Sequence, residues 1–371
     1  MLSLVVLSGA LICGCGAASG ATPAPSAPAP APAAAAPTVT SVSAQNGAVI
    51  VSLASATSGA TIYYTLDGTT PITSSQVYQA PFLVASNLTV KAIATSPADS
   101  ASTVATKAFA PNVPPNTLVW SDEFNSSSSS PGQPDAKVWT YDTGNNGFGN
   151  NELETYCAWG SNTAPCSTAN PSASVGLDGN LHIIARQVST GTYTSARLKS
   201  QGLFSFQYGR VEAKIKIPES QGMWPAFWLL GNNISTINWP ACGELDVMEH
   251  IDGSNPPLSA AGTPQGYDWV QASIHGSGLN GGTPYHPTGF FAGEWHTYGM
   301  IWSKGQVQFY VDDPTKPYET FTPGTGTWPF DTGPQFMLLN LAIGGNWPGP
   351  PDSTTVLPSE MLVDYVRIYT N

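Results

Sequence analysis

Arg210-Val-Glu-Ala-Lys-Ile-Lys-Ile217 decides the fold class. Val211, Ala213, Ile215 and Ile217 recur at every second position, with charged residues between them. Side chains on a strand alternate between its faces, so this is the pattern of a half-buried antiparallel strand. Gly305-Gln-Val-Gln-Phe-Tyr-Val311 repeats it through Val307, Phe309 and Val311. No stretch sustains a 3.6-residue period, and 37 Gly and 33 Pro supply turns between short strands. The region 117–371, about 255 residues of this kind, is expected to form a two-sheet sandwich of many strands.

The chain divides further. Residues 1–12 are an apolar run of signal-peptide length, shorter than the roughly 20 residues a membrane helix needs. No Lys or Arg precedes Lys91, so the usual positive start of such a segment is missing. Ile12-Cys13-Gly14-Cys15 resembles a bacterial lipobox with Cys15 as the lipidated residue; the alternative is ordinary cleavage after a small residue such as Ala18. Both readings mean export, with the signal in residues 1–20. Residues 21–37 form a Pro/Ala tract suited to a semi-rigid spacer. Residues 38–110 read as a small β unit, with alternation in Val49, Val51, Leu53 and again from Leu88 to Ala94. A second linker, 111–116, precedes the large unit. IYYTLDGTTPITSSQVYQAPFLV followed by LTVKAIA resembles the chitobiase/β-hexosaminidase C-terminal type of accessory domain, an immunoglobulin-like family. Tyr63, Tyr64 and Tyr78 there have two readings, sugar contact or core.

Lys and Arg number 12 against 24 Asp and Glu, a formal charge of −12. That balance disfavours nucleic acid and strongly anionic polymers as partners. Five cysteines are too few for a disulfide scaffold. Cys157 and Cys166 share one polar loop and close a short bridge in an oxidising compartment, the alternative being two loop thiols. Cys242 is the odd thiol.

The chemistry concentrates in Gly243-Glu-Leu-Asp-Val-Met-Glu249. On a regular strand Glu244 and Asp246 share a face and Glu249 opposes them. All three share one face only if a residue between Asp246 and Glu249 is bulged out. The two Glu Cα atoms would then lie roughly 13 Å apart, close enough for inward-leaning side chains to approach the ~5–5.5 Å of a retaining glycosidase. Three acids on one face also raise one another's pKa. Upstream, Trp224 and Trp228 in Gly222-Met-Trp-Pro-Ala-Phe-Trp-Leu-Leu230 fall on one strand face. Flat indoles there suit pyranose rings, although core packing is the other reading.

GELDVMEH resembles the bulged E-x-D-x-x-E signature of glycoside hydrolase family 16. LVWSDEFN (118–125), GNNELETY (149–156), YGRVEAKIKIP, GMWPAFWLLG and LNLAIGGNWPG (339–349) resemble the family's other blocks, in family order across residues 117–371. They look most like bacterial laminarinase-type endo-β-1,3-glucanases. The resemblance implies an all-β jelly-roll sandwich with a concave cleft, Glu244 as nucleophile, Glu249 as general acid/base and Asp246 supporting the nucleophile. It implies sugar contacts from Trp224 and Trp228, and from Asn151, Arg197, His275 and Trp347. It also implies a structural Ca²⁺ held at Glu123, Gly179 and Asp364, and no cofactor for catalysis. The five His show no spacing for a zinc site, and no phosphate-binding Gly loop is present. The expected protein is an exported monomer, secreted or lipid-anchored, acting on a neutral β-glucan of the laminarin type. Mixed-linkage glucan, agar, or a non-catalytic glycan-binding role are the alternatives.

Overall fold

The structure, a computed structural model, describes residues 31–125, 129–252, 268–290 and 292–371. The expected signal segment and Cys15 lie outside the described residues.

The large unit is a jelly-roll sandwich of two sheets. One has seven strands, in the order Leu279–Tyr285, Val270–Gly276, Glu244–Glu249, Met223–Gly231, Gln335–Ile343, Arg197–Lys199 and Thr140–Asp142. The other has ten, with Ser359–Tyr369 and Gly209–Lys216 at its centre. Between them lies one apolar core that includes Val211, Ala213, Ile215, Phe227, Leu245, Val307, Phe309 and Leu339, all fully buried. The alternation in 210–217 therefore faces inward as expected. Its polar face is less exposed than alternation alone implies: Glu212 is buried and accepts hydrogen bonds from Arg210 and from Tyr310 Oη at 2.5 Å. Gln335–Ile343 is buried along its whole length, paired on both sides, with one face in the core and Asn340 and Ala342 on the other at the cleft floor.

The small unit has a three-stranded sheet (Thr38–Ser43, Val49–Ala54, Phe82–Val84) and a four-stranded one (Gln76–Val77, Thr61–Thr65, Leu88–Thr95, Ala105–Phe109). Tyr64 stacks on Phe82 at 5.3 Å and meets the edge of Tyr78 at 6.3 Å, inside that unit's core. For Tyr64 the core reading is the one the packing carries.

Where they are described, the linkers are held by contacts. Ala34, within the Pro/Ala tract, is buried against the small unit, and the Ala35 amide donates to Thr57 Oγ1. The two units also share a seam. The Leu83 amide donates to the Ser205 carbonyl, the Ser205 amide to the Pro81 carbonyl, and Asn46 Nδ2 to the Leu118 carbonyl. Ala48 and Leu83 belong to the core of the sandwich. Backbone groups at a seam pair across it because a buried unpaired amide is costly. Composition reports chain stiffness and cannot report that pairing.

Candidate active site

The seven-stranded sheet is concave and lines a cleft of about 730 Å³. Its floor follows from one irregularity. Along Val270–Gly276, Glu244 stands opposite His275, Asp246 opposite Ser273 and Glu249 opposite Gln271, so three steps on one strand match two on the other. On the other side Trp228 faces Asp246 while Phe227 faces Met248, leaving Val247 as the extra residue. This bulge turns Glu244, Asp246 and Glu249 to the same face, and all three line the cleft. Leu245, Val247 and Met248 are buried in the sandwich core, which holds the strand at that register.

Each acid has its own setting. Glu249 Oε1 accepts from Trp224 Nε1 at 3.0 Å, and Oε2 from Ser273 Oγ at 3.5 Å. Glu244 Oε2 accepts from Trp239 Nε1 at 3.0 Å, with His275 Nε2 at 3.9 Å from its other oxygen. Asp246 lies deepest, 3% exposed, with His275 Nε2 at 3.2 Å from Oδ2. Burial pushes the pKa of Glu244 well above the usual carboxylate range, helped by the Asp246 charge and opposed by His275 and Arg197. Burial and the Glu249 charge push Asp246 well up too. Glu249 is raised by burial, with the Trp224 hydrogen bond pulling the other way. Burial and mutual repulsion thus raise all three carboxyls, so that one can carry a proton to donate while a neighbour is ionised.

Trp228 donates from Nε1 to Asn340 Oδ1 at 2.7 Å, and the Arg197 guanidinium lies 4.6 Å from its ring centroid. Arg197 is paired with Asp142 at 3.0 Å. Trp347 meets Trp224 edge-on at 5.5 Å. Gly344 and Gly345, at φ 68° and 104°, turn the chain out of the buried strand so that Trp347 reaches the cleft. Arg197, Trp224, Trp228, His275 and Trp347 therefore all line the cleft with the three acids. Asn151 does not: its amide is turned to Asn346 Oδ1 at 2.8 Å, and Asn150 and Glu152 form that stretch of wall. At φ 58° its backbone is in the left-handed region.

Sequence reasoning missed Trp239, Asn340, Gln271, Ser273 and Phe148, all in the cleft wall. Trp239 carried a signal, an indole five positions before Glu244 in a Pro-containing turn; the others became visible only through strand register. Glu154 was missed too. It is fully buried, and burial with the neighbouring Glu152 pushes its pKa up to about 8. Its Oε2 accepts the Ile343 amide at 2.6 Å, where the buried strand gives way to the Trp347 loop.

Elsewhere, Cys157 and Cys166 are joined by a disulfide, and Cys242 is a buried free thiol. Glu123 pairs with Arg367, and Asp364 with Lys214 Nζ at 2.8 Å. Strand register sets Asp364 next to Val363, the partner of Leu181, close to the Gly179 turn. A Cβ at Gly179 would stand 3.7 Å from Asn125 Oδ1, so that turn adjoins the segment following Glu123.

Comparison with known proteins supports the family expected for the large unit and gives the small unit a different description from the one expected. Residues 158–367 match the family described as Glycosyl hydrolases family 16, and residues 51–109 match one described as Fn3 associated. The chain is 35% identical over 270 residues to a beta-glucanase of Rhodothermus marinus, covering 68% of this chain and 84% of that one. It is 34% identical over 281 residues to glucan endo-1,3-beta-glucosidase A1 of Niallia circulans, covering 68% of this chain but 37% of that longer protein. The laminarinase catalytic domain of Thermotoga maritima superposes with a TM-score of 0.57 at 35% identity, covering 70% of this chain and 99% of that domain.

Proposed function

The chain belongs to glycosyl hydrolases family 16 and is a glycosidase, and on that premise we propose that it cleaves internal β-1,3 linkages of a laminarin-type glucan with retention of configuration. The observation that carries the reading is the bulge, which sets Glu244 and Glu249 on one face of an indole-lined cleft. Glu244, flanked by His275 and the Trp239 N–H, attacks the anomeric carbon. Glu249, its carboxyl raised by burial, protonates the departing glycosidic oxygen. Water then enters, Glu249 takes its proton, and the glycosyl ester on Glu244 is released. Asp246, the most buried of the three, takes up a proton when Glu244 is ionised and so keeps the second negative charge away from it. Trp224 performs two tasks, offering a ring face to the sugar and orienting Glu249 through its N–H. No organic cofactor enters these steps.

The test is release of reducing ends from laminarin, mixed-linkage glucan and agarose, beside a Glu244→Gln control. Laminarin is expected to be cleaved fastest, with the control inactive. Faster cleavage of either other polymer displaces the substrate assignment, and equal rates in wild type and control displace the nucleophile.

Three further readings belong to the same proposal. A structural Ca²⁺ would be held by the Glu123 and Gly179 carbonyls and the Asp364 carboxylate, oxygen donors of the kind it prefers, and would share Asp364 with Lys214. The small unit is an immunoglobulin-like accessory module of the chitobiase/β-hexosaminidase C-terminal type, supported by its two short sheets. The protein is exported and monomeric, released or lipid-anchored through Cys15, supported by the apolar start and by the Cys157–Cys166 disulfide.

A further inference from the structure

The cleft also assembles a donor set of a different kind. Glu244 and Asp246 lie on one strand and His275 on the next, with Glu244 directly opposite His275. One oxygen from each acid and an imidazole nitrogen lie within 4.8 Å of one another. His275 Nε2 stands 3.2 Å from Asp246 Oδ2 and 3.9 Å from Glu244 Oε1. Zinc binds such atoms at about 2.0–2.2 Å, so two ligands of a tetrahedral ion are about 3.4 Å apart. The two observed separations bracket that edge.

A second observation points the same way. Asp246 is 3% exposed, yet its Oδ2 takes part in no hydrogen bond. A buried carboxylate oxygen left in that condition is costly, and a cation is the partner that would satisfy it. The surrounding groups leave the three donor atoms available. Trp239 Nε1 donates to Glu244 Oε2, the oxygen not aimed at His275. Glu249 is engaged by Trp224 and Ser273, and Arg197 by Asp142.

We propose that Glu244, Asp246 and His275 form a binding site for a zinc-class divalent transition-metal ion, with a fourth position open to the cleft, and that the bound ion inhibits the enzyme. One imidazole nitrogen with two carboxylate oxygens is a ligand set suited to Zn²⁺. Ca²⁺ prefers six to eight oxygens and Mg²⁺ an octahedral shell, so neither is matched here. Inhibition follows because the ion engages the Glu244 oxygens needed for attack; that part rests on the function proposed above, whereas the binding does not.

The experiment is thermal melting of the full chain with ZnCl₂, CaCl₂ and MgCl₂, alongside laminarin hydrolysis with and without ZnCl₂. Saturating zinc is expected to raise the Tm of the wild type and of Cys242→Ser by roughly 5 °C, and to leave His275→Ala unshifted. Laminarin hydrolysis should fall as the zinc site fills and return when EDTA is added. No zinc shift in the wild type, or an equal shift in His275→Ala, overturns the proposal. A shift lost in Cys242→Ser moves the metal to the thiol and overturns it as well. Should His275→Ala fail to fold, zinc anomalous scattering in wild-type crystals decides, with the ion at the three named atoms or elsewhere. A His275-dependent zinc shift in a chain that hydrolyses no glucan keeps the metal site and removes the substrate reading. Laminarin hydrolysis unchanged at saturating zinc keeps the substrate reading and removes the inhibitory site.

Discussion

The sandwich holds its carboxylates in two ways, paired with a base around most of the fold and unpaired in the cleft. Across the ten-stranded sheet and its adjoining turns five acids have a basic partner: Glu123 has Arg367, Asp364 has Lys214, Glu212 has Arg210, and Asp178 and Glu360 share His182, while Asp122 and Glu154 there are held by hydrogen bonds alone. In the seven-stranded sheet Glu244, Asp246 and Glu249 face a shared cleft with one imidazole among them, and all three pKa values rise. Pairing makes a carboxylate structural, since the charge is neutralised where it stands. Leaving three buried acids short of counter-charge costs stability and raises their pKa values above the usual carboxylate range, as proton-transfer chemistry requires. One residue type thus supports the fold where it is paired with a base and the chemistry where three of its members share the cleft.

The contrast can be broken by substitution. Glu244→Gln should lower kcat on laminarin by at least about 10⁴-fold, and Glu249→Gln by about 10²–10⁴-fold, with both melting like the wild type or higher. A comparable loss from Lys214→Gln, on the other sheet, would erase the division of labour.

Asp246→Asn should be stabilising at pH 7.5. The Asp246 pKa in the folded state lies well above the unfolded value of about 4, so the folded chain holds a proton that the unfolded chain releases. Wild-type stability therefore falls as pH rises from the unfolded value toward the folded one, and the amide removes that loss. Melting curves of both proteins should converge near pH 4. A variant less stable than wild type at pH 7.5 would mean that Asp246 is adequately neutralised.

His182 makes the opposite case. Glu360 at 2.6 Å, then Asp178 at 2.9 Å, raise its pKa to about 9. Its contribution is fully present below the unfolded value of about 6.5 and lost as pH rises through about 9. His182→Gln should cost about 1–2 kcal/mol at pH 6, after allowance for partners that are half exposed, and almost nothing at pH 10. A pH-independent cost would show that packing, not charge, holds His182.

The smallest effect expected is from calcium. If the proposed Ca²⁺ is held at Glu123, Gly179 and Asp364, adding EDTA should lower the Tm by a few degrees without changing kcat at a temperature where both forms are folded, because none of the three lines the cleft. A change in kcat would couple the two sheets.

Much of this organisation is legible in the amino-acid sequence. Alternation in 210–217 identifies an inward strand face, and the two-residue gap between Asp246 and Glu249 demands the bulge that the register contains. The spacing of Trp224 and Trp228 places both on the cleft face. Asn340 and Ser273 are not legible, since their positions in the cleft depend on which strands lie side by side. Nor is the pairing of Asn151 with the distant Asn346. The seam through Ser205 is equally hidden, because its partners are backbone groups of Pro81 and Leu83.

Local chemistry therefore determined the all-β class, the bulged strand and the three acids, since strand periodicity and bulge counting need only a few consecutive residues. Tertiary structure alone decided which acids stay unneutralised. A carboxylate's charge depends on what approaches it in space, and the Arg367 that neutralises Glu123 lies 244 positions along the chain. The His275 beside Asp246 is brought there only by the pairing of two strands.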